Sequence, residues 1–342
     1  MTLGNLPGGR NMKQNEKTTV ALIYGGRGCE SEVSVKGAEM LLPLINREKY
    51  RPMAVFIDKN GRWLTGGGEA FPAYLGGIAG LCKGGEMIPI SCAIPLLHGD
   101  YGEDGVVQGA LQNAKIPFVG SDATSSAILC DKVSAKAVAQ SLGIPTLPFY
   151  CVGSEEELTG LLGKLDYPVI VKPRTLGSSV GVSVASCEGE LRLGVQRALS
   201  LCKGVIIEPY LNKPRELESA YFSAEGKEAI TSPGEIIFSE GIYDYDKKYC
   251  NNEAKCSEVA DVCEEYSKKI KEYSYALVSA IGIRDLCRID FFLHNDRLYF
   301  NEINGMPGFT SESLYPRMLR QAGISPEELV DRLILSAIKR GG

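Results

Sequence analysis

The residues best suited to chemistry lie in RLYFNEINGMPG (297–308) and in CRID just before it. Glu302 and Asn304 are two apart on a strand, so they face the same way. Asp290, on the neighbouring hairpin strand, can face that way too. Two carboxylates and an amide oxygen form an oxygen-only set. Such a set suits a hard cation such as Mg²⁺, which keeps water and phosphate among its ligands. A Glu-x-Asn pair alone is more often the polar face of a hairpin. Arg288 beside the acidic pair, and GMPGFTS after it, favour a site.

Phosphate chemistry has its own candidates. In VIVKPRTLGSSVGVSV (169–184) a strand delivers Lys172, and a Gly- and Ser-rich turn follows. Free N–H groups and hydroxyls in such a turn can wrap phosphate oxygens, although many such loops are only turns. The loop is neither GxGxxG nor GxxxxGK[ST], so it matches neither common nucleotide fingerprint. Lys132, in LCDKVSAK, is a second phosphate candidate, though a single lysine is more often a solvated charge. In LLHGDYGEDG (96–105), His98 falls at the carboxyl end of a strand, where open α/β sheets bind ligands. In IYGGRGCESEVS (23–34), Glu30 and Glu32 sit near a helix start, which favours acids. That accounts for Glu32, whereas Glu30, facing the crevice, can take an ammonium group. YDYDKKY (243–249) is too polar for a core strand and too aromatic for an idle linker.

These residues need a scaffold. A chain of 342 residues suggests two or three domains. Hydrophobic and charged fractions of 44% and 23% are ordinary globular values. A net charge of −5 argues against nucleic-acid binding through general basicity. Eleven cysteines without CxxC spacing, and only two histidines, give no zinc pattern. No apolar run approaches the length of a membrane span. Scattered cysteines without a secretory segment fit a reducing cytoplasm, as small buried apolar residues. Residues 1–17 read as a disordered or upstream extension. TTVALIY (18–24), RPMAVFID (51–58) and ISCAIPLLHG (90–99) read as strands alternating with helices, which implies a parallel sheet. The glycine-rich 65–87 reads as loop. DATSSAILCDKVSAKAVAQSLG (122–143) reads as one helix and opens a compact α+β unit. Strands dominate again after about 208. CRIDFFLHNDRLYFNEIN forms a hairpin turning near 294–296, and SPEELVDRLILSAIKR is a closing helix.

In order along the chain, GGxxxExEVS, HGxxGEDG, DK, KP…GSSVG, YDYxxKY, CRID and NEIN…PGFTSxSLYP resemble the D-alanine–D-alanine ligase family of the ATP-grasp superfamily. The resemblance spans about 18 to 338. It implies a three-domain α/β and α+β architecture: an N-terminal Rossmann-like parallel-sheet domain (18–120), a central domain (121–207) and a C-terminal domain (208–342) with a lid near 240–258. It further implies ATP between the central and C-terminal sheets. The first D-alanine would be phosphorylated on its carboxylate. The amine of the second would then attack the acyl phosphate, giving a dipeptide for peptidoglycan precursor synthesis.

By position, the resemblance assigns Glu30 to the first ammonium group, and Ser178 and Tyr249 to a hydrogen-bonded set with it. His98 would lie beside the substrate. Lys132, Lys172 and Ser179 would bind phosphates, Glu208 and Leu211 the adenine, and Glu216 the ribose. Asp290, Glu302 and Asn304 would hold two Mg²⁺ ions, for which Mn²⁺ can substitute. Arg288 and the Gly308 N–H would form the oxyanion site, and Ser313 and Lys248 would take the second carboxylate. The resemblance also implies a cytoplasmic homodimer. Tyr249 and Leu314, at the positions that discriminate nucleophiles, suit D-alanine rather than D-serine or D-lactate. A D-alanine–D-serine ligase, an inactive ATP-binding protein and a relative of biotin carboxylase are the competing readings. The chain departs from the family pattern in an EPYLNKPRE stretch one residue longer, in Gly305, Cys287 and Glu312, and beyond Tyr249.

Overall fold

The computed structural model describes residues 17–237, 255–310 and 313–341. The first strand, β1 (Thr18–Gly25), is buried almost throughout, as a strand covered on both faces must be. Helix α1 (Ser31–Leu41) follows, and β2 (Tyr50–Ile57) pairs parallel to β1. Next come β3 (Trp63–Thr65), β4 (Gly68–Leu75), β5 (Ile78–Lys83) and β6 (Glu86–Pro89), then β7 (Cys92–Pro95) and helix α2 (Val106–Asn113). The sheet order is β6-β5-β4-β3-β2-β1-β7. The strands β1, β2 and β7 are parallel, and β3 to β6 extend the sheet as an antiparallel meander. Two expectations are corrected here: 65–87 is not a loop, and the sheet is mixed. The paired glycines 66–67, 76–77 and 84–85 all have positive φ and make hairpin turns.

The helix expected over 122–143 is two, α3 (Ala123–Cys130) and α4 (Lys132–Ser141). Asp131 interrupts them with an extended backbone, and its carboxylate caps α4 at the Val133 N–H. The break places Lys132 at the first position of a new helix.

A second, antiparallel sheet contains β8 (Tyr150–Val152), β9 (Val169–Pro173), β10 (Ser183–Ala185) and β11 (Val205–Pro209), in the order β10-β9-β11-β8. With it come the short α5 (Glu155–Thr159) and α6 (Glu188–Leu201). Leu191, Val195 and Ala198 of α6 pack on Val169, Val171 and Val205 to form a separate core.

The third sheet holds β12 (Arg215–Ala224), β13 (Lys227–Ile230), β14 (Gly234–Ile237), β15 (Lys255–Ser257), β16 (Asp285–His294) and β17 (Arg297–Asn304). Helix α7 (Glu264–Ile281) joins α3 and α4 against one face of it. Helices α8 (Leu314–Gln321) and α9 (Pro326–Gly341) lie on the other face, and their core runs on into β1 and β7. The β16–β17 turn falls at Asn295 and Asp296, both with positive φ, as expected.

One irregularity in that hairpin matters. Asp290 pairs with Glu302, yet Phe291 pairs with Phe300, leaving Asn301 as the extra residue of a bulge. Leu298 and Phe300 are buried, then Ile303 is, one residue out of phase. Asn301 and Glu302 therefore both line the cleft.

Of the described cysteines only Cys82, Cys92 and Cys287 are buried, while Cys29, Cys151, Cys187 and Cys263 are exposed. The expectation of uniformly buried thiols is corrected accordingly. No helix of the described residues is long and apolar enough to cross a membrane.

Candidate active site

A cleft opens between the second and third sheets. Lys172 enters it from β9, Lys132 from the start of α4, Glu216 from β12, and Arg288, Asp290 and Glu302 from the β16–β17 hairpin. Ser178 and Ser179 line it from the loop between β9 and β10. These two serines are consecutive residues with φ of 51° and 56°, a backbone that turns N–H groups toward one concavity. Gly181 completes the loop at φ +73°, and a Cβ there would stand 2.7 Å from Leu201 and 2.8 Å from Pro173.

The acidic pair is not left bare. Arg288 forks onto Asp290, with Nε 2.8 Å from Oδ1 and a terminal nitrogen 2.7 Å from Oδ2. It also lies 3.3 Å from Glu218. Burial alone would lower the Arg288 guanidinium, but Asp290 and Glu218 reverse this and hold it well above the usual arginine range. Asn304 donates its amide to Asp290 at 3.1 Å. Lys132 stands 3.4 Å from Glu302 and donates to the Leu176 carbonyl at 2.6 Å.

Asp290 and Glu302 face each other across adjacent strands with Asn304 alongside. Each carboxylate is offset by a cationic side chain, Arg288 on Asp290 and Lys132 near Glu302, which a bound cation would have to share or displace. The donors are all oxygens, which fits a hard divalent cation. No group of three or more His, Cys, Asp or Glu able to hold a metal occurs among the described residues.

A second part of the site lies at the mouth of the first sheet. Glu30 is the residue before α1 and is 4% exposed. The Ser178 hydroxyl donates to its Oε1. Its Oε2 has no hydrogen-bond partner among the described residues. A Cβ on Gly99 would sit 2.6 Å from that oxygen, so the HG turn is shaped around the carboxylate. Ser34 has a structural job: it accepts from the Gly25 N–H and donates to the Leu96 carbonyl, tying β1 to the segment after β7. His98 is half-buried on that segment.

Other expected residues are placed differently. The Glu208 carboxylate is buried in a cluster with Lys136 and Lys172. Leu211 follows β11, half-buried. A Cβ on Gly308 would meet the Ser313 hydroxyl at 2.7 Å, and that hydroxyl accepts from the Thr310 N–H at 3.1 Å. Leu314 packs into the core. Lys248 and Tyr249 lie outside the described residues.

Sequence reasoning missed four groups. Glu218 pairs with Arg288, and Asn301 accepts from Lys172 at 3.3 Å. Lys136 reaches Glu208 at 2.8 Å. Glu103 accepts from the Gly99 N–H at 2.9 Å and the Met306 N–H at 3.3 Å, joining the first sheet's loop to the segment after β17. Burial first, then the charge of Glu30, pushes the Glu103 carboxyl up to about 8. The phase slip from Phe300 to Ile303 signals Asn301, and the acidic GEDG turn signals Glu103. For Lys136 the sequence offers no signal beyond an ordinary helical lysine.

Comparison with known proteins adds the following. Residues 19–121 match the model described as D-ala D-ala ligase N-terminus, and residues 138–335 match D-ala D-ala ligase C-terminus. A D-alanine–D-alanine ligase of Solibacter usitatus is 37% identical over 327 residues, covering 95% of this chain and 96% of that one. The crystal structure of the VanG D-Ala:D-Ser ligase of Enterococcus faecalis has a TM-score of 0.84 at 28% identity, covering 94% and 100% of the two chains. The D-alanine–D-alanine ligase of Bacillus anthracis complexed with ATP has a TM-score of 0.75 at 26% identity, covering 96% and 99%.

Proposed function

The chain belongs to the D-alanine–D-alanine ligase family, and from that premise we propose that it is an ATP-dependent ligase joining two D-alanines for peptidoglycan precursor synthesis. One observation carries the reading: a buried carboxylate, Glu30, with one oxygen unpartnered among the described residues, accepts from the serine loop of a cleft that also holds two lysines and a paired Asp–Glu set.

The chemistry must make a carboxylate electrophilic. An oxygen of the first D-alanine attacks the terminal phosphorus of ATP, and ADP leaves. The amine of the second D-alanine then attacks the carbonyl carbon of the acyl phosphate. Inorganic phosphate departs with the C–O electron pair, and the nitrogen gives up a proton. In this reading Glu30 accepts the ammonium of the first substrate through Oε2 and fixes its carboxylate toward the nucleotide. Lys132, Lys172 and the Ser178–Ser179 turn hold phosphate oxygens. Glu216, which lines the cleft, would take the ribose. Asp290, Glu302 and Asn304 would hold divalent ions, which offset charge on the transferring phosphoryl group when bound. Arg288, with the Gly308 N–H, offsets the oxyanion of the tetrahedral intermediate, an effect worth about 3–4 kcal/mol per donor in comparable sites. His98 and Ser313 would flank the substrates. Lys248 and Tyr249 would approach from the lid, with Tyr249 completing the set with Glu30 and Ser178. A homodimer and a cytoplasmic site of action are part of the same reading.

Purified protein given ATP, Mg²⁺ and D-alanine should release one phosphate per dipeptide formed. D-Serine and D-lactate supplied in competition identify the nucleophile. Failure to form dipeptide from D-alanine would sink the proposal, and preference for D-serine would move the chain to the other branch of the family.

A further inference from the structure

Lys172 of the cleft belongs to a buried charge cluster whose other two members, Lys136 and Glu208, the reaction scheme does not use. Lys136 of α4 is 1% exposed, Glu208 of β11 is 1% exposed and Lys172 of β9 is 8% exposed. Lys136 Nζ lies 2.8 Å from Glu208 Oε1, and Lys172 Nζ lies 2.7 Å from Oε2. One carboxylate is thus shared, one oxygen each, by two ammonium groups. The hairpin bulge supplies their further acceptors: the Phe300 carbonyl lies 3.4 Å from Lys136, and the Asn301 amide oxygen 3.3 Å from Lys172. Of the three charged groups only Lys172 lines the cleft.

A lone buried Glu–Lys pair is neutral and presents little field to an anion. Burial lowers the Lys136 ammonium and Glu208 opposes this; with Lys136 charged, the three groups by themselves carry one net positive charge, and the Glu302 carboxylate acts on both lysines. Removing charges from water is costly unless they are paired and hydrogen-bonded, so three buried charges where two would balance call for an explanation. Burial would raise the Glu208 carboxyl, yet Lys172 and Lys136 hold it down to about 2, so it stays ionised and keeps drawing charge from both lysines. Only one cation can be left over, and Lys172 is the one at the cleft wall.

We propose that Lys136 is a positioning residue for nucleotide binding: by taking half of Glu208, it leaves Lys172 charged toward the cleft while Glu208 and Asn301 fix its place. The inference rests on the reading of the cleft as an ATP site. Lys136 touches no substrate and acts through Glu208.

Calorimetric titration with MgATP in the absence of D-alanine, paired with steady-state kinetics, tests this. In Lys136→Met the dissociation constant and KM for ATP should rise about tenfold, while KM for D-alanine stays within twofold. Lys136→Arg, which keeps the charge, should bind ATP within about threefold of the parent. The double variant Lys136→Met/Glu208→Gln removes one cation and one anion together, so it should recover most of the lost affinity. A purely structural lysine would not produce that recovery. Unchanged ATP affinity in folded Lys136→Met overturns the inference, as does a double variant no better than the single. If Lys136→Met fails to fold by circular dichroism, the double variant decides, and tenfold weakened binding there overturns the inference. A parent chain that binds no MgATP overturns the ATP reading itself, an outcome distinct from a parent that binds while its variants bind equally well.

Discussion

Glu30 brings a carboxylate to a position only 4% exposed, with one oxygen unpartnered among the described residues. A charge-assisted hydrogen bond is worth about 2 kcal/mol, so Glu30→Gln should raise the KM for the first D-alanine roughly thirtyfold. A fold retained by circular dichroism separates this from collapse. Glu302→Ala should abolish turnover with the protein still folded, and normal activity would remove the metal assignment. Glu103 behaves differently. Its raised folded value means the native state holds a proton that the unfolded chain releases from about pH 4.5 upward. Its contribution to stability is therefore full in acid and is lost as pH rises toward about 8. Between pH 5 and 8, the fall in thermal midpoint should be smaller in Glu103→Gln than in the parent. Equal slopes in both would show that Glu103 does not hold the proton. At this scale the sequence was informative about which side chains the hairpin brings together, as for Asp290, Glu302 and Asn304. It was silent on Lys136, because a lysine in a helix looks solvated until the tertiary fold shows what covers it. It did not show that the Glu208 side chain is bound by two lysines.

Among the elements, the hairpin and the serine loop do most of the positioning. Both were readable in outline, since the HND turn and the KP…GSSVG stretch have the right residues for their backbones. The bulge was also written in the sequence, as apolar residues at 298, 300 and 303 rather than in strict alternation. The meander of β3 to β6 was hidden, because glycine pairs at every turn mimic a loop and the intervening strands are half-exposed. The break at Asp131 was hidden as well: helical propensity runs through it, and only capping by its own carboxylate, with Arg174 forked onto that group, stops α3. In the serine loop, Gly181 allows both a positive φ and a close approach. Gly181→Ala should destabilise the fold by about 1–3 kcal/mol and raise the KM for ATP. Chemical denaturation and kinetics would read the two effects separately, and an unaltered midpoint would show that the loop can yield.

Across the whole molecule, the three sheets do not share one core. The second sheet has its own apolar cluster with α6. The first and third share one, bridged by α8 and α9. A buried ionic joint reinforces that bridge. Asp285, 2% exposed at the start of β16, accepts from the Gly120 N–H and from Arg340 of α9, at 2.6 Å to each carboxylate oxygen. Arg340 also donates to the Phe118 carbonyl at 3.0 Å. Breaking a buried pair strands the remaining charge, which typically costs about 3–5 kcal/mol. Arg340→Ala should lower the unfolding midpoint markedly with little change in the KM for ATP, because the joint is remote from the cleft. A midpoint shift of less than a degree would show the joint to be incidental.

The bridging helix has a consequence for biosynthesis. Helix α9 covers β7 and the start of the first sheet, yet among the described elements it is the last to be translated. A ribosome making this chain at roughly 5–20 residues per second exposes the apolar side of β1 and β7 for many seconds before Pro326–Gly341 emerges. The first lobe therefore reaches its final packing only after the third sheet and its helices have been made. A nascent chain stalled ahead of Pro326 should remain protease-sensitive at its amino end and present an apolar face for chaperones to hold.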